Sequence, residues 1–160
     1  MTETNLSGSC FCGLVRYRLT RAPMFVHCCH CRDCQKQSGS AFAINALMER
    51  SCIEFAEGSQ DPVCVTVKTD SGRPHDIYRC RECQSALWSD YGRRSVMVFV
   101  RVSTLDQGGS LAPDVHIFTR SKMPWVPLPP HARCFDVYYD MQKEWPRASL
   151  ARRAAILGDG

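Results

Sequence analysis

Hydrophobic and polar residues alternate in short stretches along most of the chain, which is the pattern of half-buried β-strands. In the clearest stretch, 14–19, Val15, Tyr17 and Leu19 share one face and two arginines point to the other. Strands at intervals of about 8 to 12 residues, with turn signals between them, predict an all-β domain. The other predicted strands are 25–28, 41–48, 52–55, 63–68, 76–80, 86–88, 95–102 and 115–119.

Helical signals are few. Residues 32–37 are predicted to form one helical turn that stops at Gly39. A proline followed by an amphipathic stretch predicts a helix at the end of the chain. We therefore divide the chain into one domain, residues 1–145, and a helical tail, residues 146–160. The tail is expected to pack on the sheet or on a second subunit of a homodimer, with its arginines as a solvated face.

Composition excludes several classes of protein. The 160 residues are 44% hydrophobic and 22% charged, which is typical of a globular domain rather than a disordered chain or a coiled coil. We find no apolar stretch of the roughly 18 residues that a membrane span needs and no signal-peptide pattern, so a cytoplasmic protein without a membrane partner is expected. The net charge of +4 is too small to indicate a nucleic-acid partner.

Eleven cysteines change this picture, because most of them are clustered. Pairs separated by one or two residues place two thiolates at one point, which suits a tetrahedral metal and disfavours a disulfide. Alternatives from the same residues are one metal shared by all the clusters, an irregular thiol cluster, and an iron–sulfur cluster. The closely spaced cysteines are Cys10 and Cys12, then Cys29, Cys31 and Cys34, then Cys80 and Cys83.

These seven cysteines divide into four plus three. Two pairs complete a four-cysteine site, which is typical of structural zinc, whereas a triplet leaves one coordination position open, as catalytic zinc requires. Cys28 adjoins the triplet, but in an extended strand its side chain points to the opposite face from that of Cys29, so we leave it out. A metal that joins residues 10 and 12 to residues 80 and 83 would close a long loop, so chelation is expected to unfold the protein.

Several further residues have two interpretations each. His27 and His30 flank the triplet and are candidates for proton carriers or a replacement ligand, although a supporting or surface role is favoured. Trp125 is either a stacking platform for a ligand or an anchor for a proline-rich loop. No chemical role is predicted for His75, His116 and His131, and Cys52, Cys64 and Cys134 are interpreted as small core residues.

The order of these motifs resembles the glutathione-dependent formaldehyde-activating (GFA) family, which also includes the domain of centromere protein V. The resemblance covers about residues 8 to 139 and departs from the family at Gln84, where a glycine is usual. The segments that carry it are Gly8-Ser9-Cys10-Phe11-Cys12-Gly13, Cys29-His30-Cys31-Arg32-Asp33-Cys34, Ser38-Gly39-Ser40-Ala41-Phe42, Cys80 to Cys83, Pro113-Asp114-Val115-His116-Ile117 and Lys122-Met123-Pro124-Trp125.

The resemblance implies antiparallel sheets similar to those of methionine-R-sulfoxide reductases, and two zinc ions. Cys10, Cys12, Cys80 and Cys83 would hold a structural zinc, and Cys29, Cys31 and Cys34 a catalytic one. The implied activity is that of a carbon–sulfur lyase, which forms or cleaves the S-hydroxymethyl adduct of glutathione and formaldehyde. Arg32 and Lys36 are candidates for binding anionic glutathione, with solvated helix-turn charges as the alternative.

Two functions of different classes follow. One is a zinc lyase that acts on a small thiol and a small aldehyde, and the other is a non-catalytic, zinc-stapled binding module. A fourth protein ligand at the triplet, such as His30 or Cys28, would favour the module.

Overall fold

The computed structural model describes residues 6–158 and contains two β-sheets. The smaller sheet has three antiparallel strands in the order β1-β2-β5. Its strands are β1 (Leu6–Ser9), β2 (Arg16–Leu19) and β5 (Ile53–Phe55).

The larger sheet has seven strands in the order β10-β3-β4-β9-β8-β7-β6. Adjacent strands in this sheet are antiparallel, except that β10 lies parallel to β3. Its strands are β3 (Phe25–Cys29), β4 (Ala43–Glu49), β6 (Val63–Lys68), β7 (Pro74–Arg79), β8 (Ala86–Tyr91), β9 (Met97–Arg101) and β10 (Val115–Ile117).

Three α-helices accompany the sheets. The first, α1 (Arg32–Ser38), follows β3 directly and ends at Gly39, whose φ of 63° is the left-handed conformation that glycine adopts without strain. The others, α2 (Met141–Glu144) and α3 (Arg147–Leu157), form the end of the chain. No described helix is long and apolar enough to cross a membrane.

The large sheet is the middle layer of the fold, because neighbouring residues on its strands belong to two different hydrophobic clusters. Val26 and Val98 pack with the inward face of β2, including Tyr17. Phe25 and Met97 lie on the other face of the sheet, under the C-terminal segment. Alternation along each strand thus buries both faces of the large sheet.

The tail packs on its own chain. The Ser149 hydroxyl donates a hydrogen bond to the Met24 carbonyl at 2.6 Å. Arg152 forms an ion pair with Glu49 at 2.6 Å, in which its side chain is 17% exposed. The expectation of solvated arginines is therefore wrong for Arg152, because a buried carboxylate at the end of β4 draws it against the sheet.

The predicted all-β fold with a short C-terminal helix is confirmed, and β2 has the predicted buried face. Strand β1 was not predicted, because Leu6–Ser9 is rich in glycine and serine and has little hydrophobic alternation.

The prediction that three isolated cysteines lie in the core is correct for Cys52 but wrong for Cys64 and Cys134, which are exposed. Cys64 lies on β6, an edge strand, and Cys134 lies outside the named strands. The likeness to methionine-R-sulfoxide reductases stays a prediction.

Candidate functional site

The first site is formed by two turns that meet at one end of the small sheet. Cys10 and Cys12 follow β1, and Cys80 and Cys83 lie in the turn between β7 and β8. The sulfur atoms of these four cysteines all lie within 4.8 Å of one another. We call this group the four-cysteine cluster.

The spacing of these sulfurs fits a tetrahedral metal. Zinc–sulfur bonds of about 2.3 Å in a tetrahedron place two sulfurs about 3.8 Å apart. The Cys10 and Cys12 sulfurs are 3.5 Å apart, and those of Cys12 and Cys80 are 3.6 Å apart. The backbone N–H of Val15 donates to the Cys10 sulfur at 3.3 Å, an interaction that favours its thiolate.

Gln84 adopts a left-handed conformation, which a glycine would adopt without strain. Its φ is 59°, and its side-chain amide donates to the Arg81 carbonyl at 2.9 Å. The turn after Cys83 is therefore made with a residue that is strained there.

The substitution Gln84→Gly is expected to stabilise the protein by about 0.5 kcal/mol, because relief of left-handed strain of about 1 kcal/mol exceeds the loss of an exposed side-chain hydrogen bond of about 0.5 kcal/mol. At this chain length that raises the melting temperature by about 1 to 2 °C. Differential scanning calorimetry measures the shift. Gln142→Gly, in α2, is the matched control and should lower the melting temperature. A lower melting temperature for Gln84→Gly itself would contradict the strain argument.

The second site lies where β3 runs into α1. Cys29 ends the strand, Cys31 is the N-cap of the helix, and Cys34 lies in its first turn. Their sulfurs all lie within 4.8 Å of one another. We call them the cysteine triplet. Hydrogen bonds from Cys29 and Cys34 hold the pKa of Cys31 well below its usual range, despite partial burial. A thiolate at Cys31 suits a metal ligand.

Cys28 points away from the triplet, as predicted, and meets two histidines. Its sulfur lies 3.6 Å from His30 Nε2, which lies 3.1 Å from His116 Nδ1. The parallel pairing of β3 with β10 places Cys28 opposite His116. We call these residues the Cys-His-His cluster. Sequence reasoning did not place His116 beside His30, because no local spacing links residue 116 to residue 30.

A cavity of about 640 Å³ opens beside the triplet. All three triplet cysteines line it, and six arginines outnumber two aspartates in its wall, so it is strongly cationic. Its volume is in the range typical of small-molecule sites. The charged residues that line it are Arg32, Asp33, Asp70, Arg73, Arg94, Arg101, Arg120 and Arg153.

Arg101 stands out among these arginines because it is 8% exposed. Its guanidinium donates to the amide oxygens of Asn45 and, at 3.2 Å, of Gln37. Within residues 6–158 no carboxylate lies within ion-pair distance of it. Burial, followed by the charge of Arg101, lowers the pKa of neighbouring His75 to about 4. A buried cation without a carboxylate in a cavity wall is suited to an anionic ligand.

His27 lies in the cavity wall as a neutral imidazole. Trp145 Nε1 donates to the Tyr139 hydroxyl at 2.7 Å, and the same hydroxyl shares a hydrogen bond of 2.5 Å with His27 Nε2. Burial lowers the pKa of His27 to about 3. At neutral pH His27 is therefore an uncharged imidazole bound to the Tyr139 hydroxyl, and a supporting role fits it better than proton transfer.

The two cations named from the sequence fall in different places. Arg32 lines the cavity, and its guanidinium also donates to Gln35. Lys36 lies outside the cavity, in a shallow groove that also contains Trp125. At 74% exposed, Trp125 is not a buried anchor of its loop. The groove and the cavity adjoin each other, because Arg32 lines both.

The remaining cavity arginines were not found from the sequence. Arg73 and Arg94 lie in turns of the large sheet, Arg120 follows β10, and Arg153 lies in α3. Arg153 is partly buried, which is a second departure from the expected solvated face of the tail. No motif joins these positions, since the fold alone brings them to one wall.

Comparisons with known proteins agree with the motifs. Residues 5–121, which include both the four-cysteine cluster and the triplet, match the family described as glutathione-dependent formaldehyde-activating enzyme. A Halomonas elongata protein named "Putative glutathione-dependent formaldehyde-activating enzyme" is 30% identical over 147 residues, covering 88% of this chain and 93% of that protein. A crystal structure of a Rhodobacter sphaeroides protein aligns with a TM-score of 0.47 and 16% identity, covering 81% of this chain and 98% of that one.

Proposed function

Because the chain belongs to the glutathione-dependent formaldehyde-activating enzyme family, we propose that it is a zinc-dependent carbon–sulfur lyase. Its reaction forms or cleaves the S-hydroxymethyl adduct of glutathione, or a related thiol, with formaldehyde or another small aldehyde. We place it in the cytoplasm, where the thiol pool keeps cysteines reduced and available as metal ligands.

Two zinc ions per chain are part of this proposal. The four-cysteine cluster holds the structural ion, and its sulfur separations of 3.5 and 3.6 Å fit a tetrahedral thiolate site. The triplet holds the catalytic ion. Among residues 6–158, no fourth histidine, cysteine or carboxylate completes the triplet, which is consistent with an open coordination position.

The observation that carries the proposal is that the triplet forms part of the wall of a cationic cavity. Glutathione has two carboxylates and one ammonium at neutral pH, so it enters as an anion with a thiol at its centre. Six arginines favour binding of the carboxylates, and the thiol sulfur would lie next to the triplet. A purely structural zinc site has no need of such a cavity.

The chain's own residues position the thiol. Arg101 is fixed by two amide oxygens, so it can take a carboxylate with little loss of side-chain freedom. Leu47, Met97 and Phe99 give the floor an apolar surface that excludes water from the reacting atoms.

In the forward direction the thiol sulfur bonds to the carbonyl carbon, and the thiol's proton ends on the aldehyde oxygen, so the adduct contains every atom of both reactants. Zinc at the triplet, when bound, supplies a positive charge that favours the thiolate form of the incoming thiol. We favour this role over activation of the carbonyl, because three thiolate ligands reduce the Lewis acidity of the metal.

The test measures metal content and glutathione binding for the wild type and for Cys31→Ser. The wild type is expected to hold about two zinc ions and the variant about one, with the fold kept and glutathione binding lost, because the triplet loses a ligand of its three. Isothermal titration and elemental analysis provide the two readouts.

Cys64→Ser is the matched control, since Cys64 is exposed on an edge strand and should change neither readout. The second candidate function is the zinc-stapled binding module. Two zinc ions in the wild type without any thiol binding would support the module and overturn the lyase.

A further inference from the structure

The Cys-His-His cluster lies on the face of β3 that is opposite the triplet. Cys28 and Cys29 are consecutive in an extended strand, so their side chains point to the two faces of the sheet. None of the three cluster residues lines the arginine-lined cavity. The cluster is therefore separate from the proposed catalytic site.

Two of the three separations between the candidate ligand atoms match those that a metal would impose. With bonds of about 2.05 Å to nitrogen and 2.3 Å to sulfur, a tetrahedron separates two nitrogens by about 3.3 Å and nitrogen from sulfur by about 3.6 Å. The measured distances are 3.1 Å between the two imidazole nitrogens and 3.6 Å between His30 Nε2 and the Cys28 sulfur. All three atoms lie within 4.8 Å of one another.

Hydrogen bonding leaves His30 incompletely partnered. His30 Nε2 faces both the Cys28 sulfur and His116 Nδ1, but it can donate only one proton. His30 Nδ1 is buried and has no hydrogen-bond partner among the described residues, so nothing fixes the proton on either nitrogen. A metal ion in contact with all three atoms would use the Nε2 lone pair directly.

The backbone holds the cluster in place. The His30 N–H donates to the Ile117 carbonyl at 3.0 Å, and the Gln35 side chain donates to the His30 carbonyl at 2.8 Å. His30 is fully buried, whereas His116 is partly exposed and leaves a route from solvent. The site is thus held by hydrogen bonds to the backbone, and it is accessible from solvent at His116.

We infer that Cys28, His30 and His116 form a third metal site, which binds a zinc-like divalent transition metal through one thiolate and two imidazoles. Imidazole and thiolate together suit zinc and cobalt rather than magnesium or calcium. One thiolate brings less negative charge than three or four, so this site should be weaker than the other two and fill at higher metal concentration. The inference does not depend on the proposed lyase activity.

The experiment adds zinc to the purified holoprotein and counts bound metal after removal of free metal. The wild type is expected to gain about one further ion, and His116→Ala is expected to gain none while it keeps its original metal, because only the weak site loses a ligand. Cobalt gives a second readout, since a single cysteine ligand produces a thiolate-to-cobalt charge-transfer band that Cys28→Ala should abolish. Circular dichroism and the melting temperature report whether each variant keeps its fold.

Cys134→Ser is the matched control. Cys134 bridges His116 in the sheet and so lies on the same face, yet it is outside the group of three ligand atoms. Its variant should still gain the third ion. A wild type that gains no metal, or a folded His116→Ala that gains as much as the wild type, would overturn the inference. Loss of thiol binding in Cys31→Ser tests the lyase separately.

Discussion

Removal of metal from the four-cysteine cluster is expected to unfold the protein at room temperature. The metal would join Cys12 to Cys80, which are 68 residues apart, and would tie the small sheet to the large one. Zinc contributes about 10 to 16 kcal/mol to the folding of small zinc domains, whereas whole domains are stable by about 5 to 15 kcal/mol. The folding free energy lost with the ion is therefore as large as the free energy of unfolding of a whole domain, or larger.

The measurement is a thermal melt after exhaustive chelation, followed by re-addition of zinc. Cys80→Ser should behave like the chelated protein, because it removes one of the four ligands of the cluster. Cys64→Ser, on the edge strand, should melt like the wild type. If the metal-free protein kept the melting temperature of the holoprotein, the cluster would not be a structural metal site.

Arg101→Met is expected to weaken glutathione binding by about 10- to 150-fold, since a hydrogen bond to a charged group contributes about 1.5 to 3 kcal/mol. Methionine keeps much of the arginine's apolar stem, so the packing of the cavity wall changes little. The loss arises because Arg101 is buried and has amide oxygens rather than a carboxylate as partners. Isothermal titration measures the affinity, and elemental analysis checks that the metal content equals that of the wild type.

Arg18→Met provides the comparison, because Arg18 is exposed and pairs with Glu54 on the small sheet, outside the cavity. Its affinity for glutathione should equal that of the wild type. An unchanged affinity in a folded, metal-loaded Arg101→Met protein would show that the anion binds elsewhere in the cavity, and the assignment of Arg101 would fail.

Local sequence patterns were sufficient for most of the fold and for the grouping of cysteines. Strand β6 runs from Val63 to Lys68 as predicted, and the helical turn after Cys31 ends at Gly39 as predicted. Both follow from interactions between residues that are near in sequence, such as strand alternation and a left-handed glycine cap. The closeness of neighbouring cysteines could be predicted for the same reason, since both members of each pair lie in a single turn.

The cavity could not be predicted in this way. Arg73, Arg94, Arg120 and Arg153 are separated by 20 or more residues from one another, and no periodicity relates them. Their convergence depends on how turns and the tail pack over the sheet, which is a property of tertiary structure. The contact between His116 and His30 could not be predicted for a related reason. It depends on the parallel pairing of β10 with β3, which brings together residues 86 apart in sequence.

The clustered cysteines and part of the cavity wall come from different regions of the chain, which has an evolutionary consequence. The cysteines of the four-cysteine cluster and of the triplet lie at or before Cys83, whereas Tyr138, Met141 and Arg153 in the cavity wall come from the C-terminal segment. Under the proposed function, mutations in that segment can therefore reshape part of the ligand pocket without changing the cysteines that would hold metal. Related chains with identical cysteine motifs could then diverge in substrate by drift of their last few dozen residues. The choice of substrate would evolve separately from the metal chemistry that acts on it.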